Sequence, residues 1–346
     1  MAAHPLAFSS LFAILAACSA PPDHAFTDQA PPSAAPPLEP GPLAGFDRMF
    51  QGEWMVTFAS GTSMFRTWQR GPSPHSLRIV KDGLGAGGEP WRELDVVYWH
   101  PERQRVCLLG FSCYARGVAE AEVRFGDETM QFDVDMYQVQ GHRTLRTVWT
   151  FQGPDNYHVV LLEQQPGLFA DYKVLTEWDF HRRQAPVPPR SLAVDGGSAP
   201  SQFLAPLQRL LGGWDSHAEA ANEVARPMRS TFEWMPLADV IHARVIDADP
   251  AGDVPLLDLY LYHHTGRGTL RCFAVSNRGS IHEGDVQVLD GGSVQIELQG
   301  HDGAQALAHT ARLDFDAAGA LHCRIWRLHG TERRLELDRR FTKRAQ

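Results

Sequence analysis

Met130-Gln131-Phe132-Asp133-Val134-Asp135-Met136 alternates apolar and polar side chains, and Val294-Gln295-Ile296-Glu297-Leu298-Gln299 does so again with Gln at the same place. Period-two alternation marks a half-buried strand of an antiparallel sheet. Working outward, the agreement between the two halves continues. Glu93-Leu94-Asp95-Val96-Val97-Tyr98-Trp99-His100 aligns without a gap to Leu256-Leu257-Asp258-Leu259-Tyr260-Leu261-Tyr262-His263. Gly52-Glu53-Trp54 matches Gly212-Gly213-Trp214, Trp68 matches Trp234, Phe151 matches Phe315, and His158 matches His322. A repeat this long indicates two copies of one domain, because solenoid repeats run only about 20–50 residues.

Length and composition agree. A chain of 346 residues with 43% hydrophobic content, 18 Phe and 9 Trp can fill two cores. The net charge of -9 argues against nucleic-acid binding, which needs a basic face to neutralise phosphates. Each body opens on a short helical pattern, residues 43–51 and 203–211, and is then period-two nearly throughout. About ten strands per copy follow, separated by turn clusters such as Gly153-Pro154-Asp155-Asn156 and Asp290-Gly291-Gly292. No long amphipathic helix interrupts them, so the fold expected is all-β, two tandem antiparallel meander barrels, closed because closure removes edge strands. The expected division is a signal segment 1–17, a Pro/Ala-rich tether 18–45, a first barrel 46–183, a linker 184–202 and a second barrel 203–346. The tether and linker are too rich in Pro, Ala and Gly to bury a core.

Two resemblances add to this reading. A short helix followed by Gly-x-Trp at the first strand, carried by Gly52-Glu53-Trp54 and Gly212-Gly213-Trp214, resembles the calycin barrels: lipocalins, fatty-acid-binding proteins and ten-stranded nitrobindin-like barrels. The resemblance implies a Trp closing one barrel end and an interior for an apolar ligand or, in the nitrobindin-like branch, haem. At the amino terminus, residues 6–17 are largely apolar but too short to span a bilayer, and they end in Leu15-Ala16-Ala17-Cys18. This resembles a bacterial lipobox. It implies lipid attachment at Cys18 and, with Ser19 next, an outer-membrane lipoprotein facing the periplasm. The alternative is an ordinary secretory signal with a cysteine there by chance.

Strand parity selects the candidate site. Facing the apolar lines inward gives a first lumen of Trp54, Met130, Phe132, Met136, Trp149, Phe151, Tyr157 and Trp178, richer in aromatic and Met side chains than the second. Such a barrel is either filled or leaves room for one small ligand. Asp95 and Asp258 sit in apolar strands, as ligand anchors or as halves of structural ion pairs with an Arg such as Arg66, Arg146 or Arg312. His100 and His263 share parity with Leu94/Val96 and Leu257/Leu259, which points them inward at a strand end. His158 and His322 face outward by the same argument. The interface between bodies is assigned to the other face, Val97 and Trp99 with Tyr260 and Tyr262. Cys107 and Cys272 align only if a loop is lengthened, and no C-x-x-C or H-E-x-x-H occurs, so no metal site is expected. Gly110-Phe111-Ser112-Cys113-Tyr114 lacks the last Gly of a nucleophile elbow, and Gly83-Leu84-Gly85-Ala86-Gly87-Gly88 precedes a strand where a phosphate loop needs a helix.

The expected function is therefore non-catalytic binding or carriage of an apolar or amphipathic small molecule or lipid in the first barrel, with no cofactor unless haem. Alternatives are an envelope scaffold with filled barrels and a protein partner, or an enzyme using Asp95 or His100.

Overall fold

The structure, a computed structural model, describes residues 41–84, 88, 90–112, 117–167, 171–183, 201–216, 227–235, 239–249, 252–303 and 305–344. The signal segment, Cys18, most of the tether, most of the linker and Cys113 lie outside the described residues. The first ten strands are β1 (Glu53–Thr57), β2 (Ser63–Arg70), β3 (Ser76–Leu84), β4 (Pro90–His100), β5 (Arg105–Ser112), β6 (Gly117–Phe125), β7 (Thr129–Gln138), β8 (Gly141–Phe151), β9 (Asn156–Gln164) and β10 (Tyr172–Arg183). The second ten are β11 (Gly212–Ser216), β12 (Met228–Met235), β13 (Val240–Asp249), β14 (Gly252–His264), β15 (Thr269–Ser276), β16 (Ile281–Val288), β17 (Val294–Asp302), β18 (Gln305–Phe315), β19 (Leu321–His329) and β20 (Glu332–Lys343). Each set is an antiparallel meander closed by pairing its first strand with its last, so the chain forms two tandem ten-stranded barrels.

The opening pattern of each body is a 3-10 turn, Ala44–Met49 and Ala205–Leu210, shorter and tighter than an α-helix. Gly-x-Trp then seals the barrel end. Gly52 (φ 84°) and Gly212 (φ 115°) take left-handed conformations that side chains disfavour, turning the chain into the first strand. The Trp two residues later plugs the lumen. Trp54 donates its indole N–H to the Met49 carbonyl at 3.1 Å, and Trp214 donates to Leu210 at 2.7 Å. Each buried indole thus fills space while its polar atom is satisfied by the turn it packs against.

Strand register corrects the alignment of the copies. Trp54, Arg66, Lys81, Glu93 and Ser112 lie opposite one another in a row across β1 to β5. The corresponding row across β11 to β15 is Trp214, Ser230, Val245, Leu257 and Ser276. Asp95 pairs with Gly110 in the next row of the first barrel, and Leu259 with Ala274 in the second. Leu259, not Asp258, is therefore the counterpart of Asp95. The counterpart of Trp68, which faces Ile79, is Phe232 facing Ala243, not Trp234. The Asp95 slip comes from a bulge in β14: Val245 pairs with Leu257 but Ile246 with Pro255, so Leu256 is an extra residue; the Trp68 mismatch, two residues long and on the same face, lies upstream of it in β12. One inserted residue moves every later side chain to the other face of the sheet.

The faces of β4 are reversed from the sequence expectation. Val97 and Trp99 belong to the first lumen, while Leu94, Val96 and Tyr98 form an apolar cluster with Tyr260, Tyr262 and Phe273 of the second barrel. Tyr98 packs on Phe273 with ring centroids 4.5 Å apart, and Phe111 meets Tyr262 at 5.0 Å. Corresponding strands β4–β5 and β14–β15 thus meet one another, as in the self-complementary interface of a two-fold dimer. Cys107 is buried in this cluster, whereas Cys272 belongs to the second lumen, so the two are not counterparts. Polar contacts rim the interface: Tyr98 donates to Glu283 at 3.2 Å, and His264 pairs with Glu120 at 3.2 Å. Tyr98→Phe should cost roughly 1–3 kcal/mol in urea unfolding, because it removes a hydrogen bond to a charged group at a buried seam. Unchanged stability would show that the rim contributes nothing to holding the barrels together.

Candidate functional site: a polar row inside the first barrel

The lumen of the first barrel divides into two parts. At the plugged end Phe46, Met49, Trp54, Met130, Phe151, Tyr157 and Phe180 are packed solid. Tyr157 stacks on Phe180 at 4.8 Å and on Trp149 at 5.0 Å. Beyond this plug lies a cavity of about 650 Å³, a size suited to one small molecule. Of the eight lumen residues expected from parity, Phe132, Met136, Trp149 and Trp178 line the cavity. Trp54, Met130, Phe151 and Tyr157 stand in the packed core instead. The difference follows from the plug, which occupies the half of the barrel where those four reside.

Parity alone missed Lys81 and Glu93 as wall residues. Arg66, Lys81, Glu93 and Ser112 form the row described above, and Asp95 stands beside it. The signal was present in the sequence: Arg66 interrupts the apolar line Met64/Trp68, and Lys81 follows Leu77 and Ile79 on the line that faces the lumen. A lone charge on an apolar line needs a partner inside. Lys81 Nζ lies 2.7 Å from Asp95 Oδ2 and 3.3 Å from Glu93 Oε2. The Ser112 hydroxyl donates to the other Glu93 oxygen at 2.6 Å. The ion-pair partner of Asp95 is thus Lys81, not Arg66, Arg146 or Arg312. Gly110 makes room for the carboxylate, since a Cβ there would sit 2.7 Å from Asp95 Oδ1.

Burial alone would lower the Lys81 pKa, but the two neighbouring carboxylates overcome it and raise it, so the ammonium stays charged. Burial raises the Asp95 carboxyl against the pull of Lys81, and the nearby Glu93 charge adds to the rise. Arg66 sits at the boundary between plug and cavity. Its guanidinium lies 4.1 Å from the Phe180 ring centroid and 4.6 Å from that of Trp149, and it donates to the Tyr157 hydroxyl at 3.2 Å. Burial pushes the Tyr157 phenol up to about 12. Trp91 covers the wall nearer the β3–β4 turn; its ring packs on Gly83, where a Cβ would come within 2.5 Å.

The remaining candidates lie elsewhere. Asp258 faces the seam between barrels, bonded to His242 at 3.2 Å and Arg244 at 3.4 Å. Its carboxyl is lowered: burial opposes ionisation, but the His242 hydrogen bond and the Arg charges prevail. His100 and His263 do not line the cavity either. His100 points away from the lumen, and its Nδ1 accepts the Arg103 N–H at 3.2 Å. Its counterpart is His264, which accepts the Arg267 N–H at 3.2 Å, again one residue beyond the gap-free alignment. His263 stacks under Phe203 at 3.8 Å. His158 bonds Asp179 on the outside at 2.8 Å, and His322 bonds Asp338 in the same way. Among the described residues no cluster of three or more His, Cys, Asp or Glu side chains could hold a metal ion.

Comparison with known proteins is sparse. No family model and no curated protein matches the sequence. Among solved structures, a redesigned β-barrel, mFAP1, bound to DFHBI is 15% identical, with a TM-score of 0.22, over 39% of this chain and 96% of that one. A protein of unknown function from the DUF3598 family of Nostoc punctiforme is 9% identical, with a TM-score of 0.20, over 87% of this chain and 99% of that one.

Proposed function

We propose that the first barrel binds or carries one apolar or amphipathic small molecule without transforming it. The observation that carries this reading is the 650 Å³ cavity, walled by Phe132, Trp149, Trp178 and Met136 and anchored by the Lys81–Asp95–Glu93 cluster on one side. A mostly apolar pocket with a few converging polar groups is the usual form of a small-molecule site. The second barrel has Ser230, Val245, Leu257 and Leu259 in place of Arg66, Lys81, Glu93 and Asp95, so this charged row belongs to the first copy. Asp95 and Glu93 share the Lys81 ammonium, and the Ser112 hydroxyl is held by the Lys81-paired Glu93 with no His between them; binding therefore accounts for the site better than catalysis. Haem suits the wall poorly. Among the described residues its lining holds no His or Cys, and Met64 and Met136 are the sulfur donors. In this reading the pair is a calycin-type carrier held by lipid at Cys18 to the periplasmic face of the outer membrane.

Native mass spectrometry of the protein purified from its own membrane fraction tests both parts. The expected spectrum shows a diacyl or triacyl mass on Cys18 and a non-covalent small molecule released on activation. If no molecule copurifies, and if long-chain esters, sterols and haem all leave the melting temperature unchanged, the carrier reading fails in favour of an envelope scaffold.

A further inference from the structure

The wall of the cavity carries information about the head group of its ligand. Arg66, Lys81, Glu93 and Asp95 are two formal cations and two formal anions, so their charges cancel inside the barrel. Hydrogen-bonding capacity does not cancel. Lys81 serves both carboxylates, and Ser112 takes a further Glu93 oxygen. Arg66 Nε and the Trp149 indole nitrogen are buried without any acceptor. Both residues are nearly inaccessible, at 5% and 4% exposure, both line the cavity, and the guanidinium lies against the indole. Unpaired buried donors are costly and call for an acceptor.

A ligand that supplied a carboxylate would leave one uncompensated negative charge in an apolar chamber. A ligand that supplied an ammonium would leave an uncompensated positive one. Either carries a desolvation cost that a neutral head escapes. We propose that the cavity is selective for uncharged amphipathic molecules bearing a hydrogen-bond-accepting oxygen, of the ketone or ester class, and that it discriminates against the carboxylic acid of the same skeleton. Arg66 and Trp149 are the donors that meet this oxygen, and the aromatic and Met wall holds the hydrocarbon. This rests on the carrier reading above and names its ligand class.

Fluorescence titration at pH 7.5 with cis-parinaric acid and with its methyl ester tests the inference on the intact protein, since the two probes share one polyene and differ only in the head. The ester should bind at least about ten-fold more tightly than the acid. Trp149→Phe keeps the ring and removes the N–H, and it should weaken the ester roughly five-fold. Asp95→Asn removes one negative charge, and it should narrow the preference for ester over acid about ten-fold. Equal or tighter binding of the acid by the unaltered protein overturns the head-group inference and leaves the carrier reading standing. If neither probe enters and native mass spectrometry finds no bound molecule, the carrier reading itself fails.

Discussion

Lys81→Met should destabilise the protein by about 3–5 kcal/mol in urea unfolding followed by tryptophan fluorescence. The change removes the cation shared by Asp95 and Glu93 and leaves two carboxylates side by side in a chamber where Asp95 is already raised by burial. Breaking a buried pair from one side costs far more than the pair contributes, because the abandoned charge keeps its desolvation penalty. The second barrel shows how the same fold does without these charges. Arg66→Ser, Lys81→Val, Glu93→Leu and Asp95→Leu together write Ser230, Val245, Leu257 and Leu259 into the first barrel. That quadruple variant should return to within about 1 kcal/mol of the unaltered protein while losing the parinarate ester. A quadruple variant as unstable as Lys81→Met would mean that the charges are structural, and the argument for a ligand anchor would fall.

What the sequence disclosed and what it hid follow from burial on one face or two. β7 and β17 alternate cleanly because one face meets the lumen and the other meets water, so both strand and register were legible from Met130–Met136 and its counterpart. Gly52-Glu53-Trp54 and Gly212-Gly213-Trp214 were legible for a different reason. The motif combines a positive-φ glycine with a plug, two requirements that other residues cannot meet at that spacing. β14 was not legible. Leu256-Leu257-Asp258-Leu259-Tyr260-Leu261-Tyr262 is apolar on both faces because one lines the second lumen and the other meets the first barrel. With no polar face to set the phase, the bulge at Leu256 left no mark, and every pairing drawn through it slipped by one. The slip joined Asp95 to Asp258 and suggested a shared structural role. The structure places Asp95 in an ion pair on the cavity wall and Asp258 in an ion pair at the interface. The division of the first lumen into plug and cavity was hidden too, since parity tells inside from outside but not depth along the barrel axis.

Acid should weaken the second barrel well before its carboxylates titrate, and His282 is the reason. Its side chain lies on the lumen face of β16 over Gly300, where a Cβ would stand 2.4 Å from its Nδ1, and it is 2% exposed. Burial, reinforced by the nearby His309 and His301, lowers its pKa from 6.5 to about 3. His309 is itself buried, its ring 5.4 Å from that of His282 and its Nε2 3.6 Å from Glu336. The folded state therefore keeps His282 neutral, whereas the unfolded chain protonates it near pH 6.5. Between these two values the unfolded state binds the extra proton, so stability rises with pH. The contribution is complete above about pH 6.5 and is lost as pH falls toward 3, amounting to roughly 3 kcal/mol by pH 4. Asp258 acts in the same direction, but only below the ordinary aspartate range, because its folded pKa is lowered from 3.8. His100 and His263, also lowered by burial, add to the slope of the whole protein. Only a difference between proteins therefore isolates His282. His282→Phe keeps a flat ring over Gly300 and removes the titration, so its unfolding free energy should decline less steeply from pH 7 to pH 4 than that of the unaltered protein. Parallel profiles would show that His282 takes up its proton in the folded barrel as readily as in the open chain, through a route for water to the imidazole.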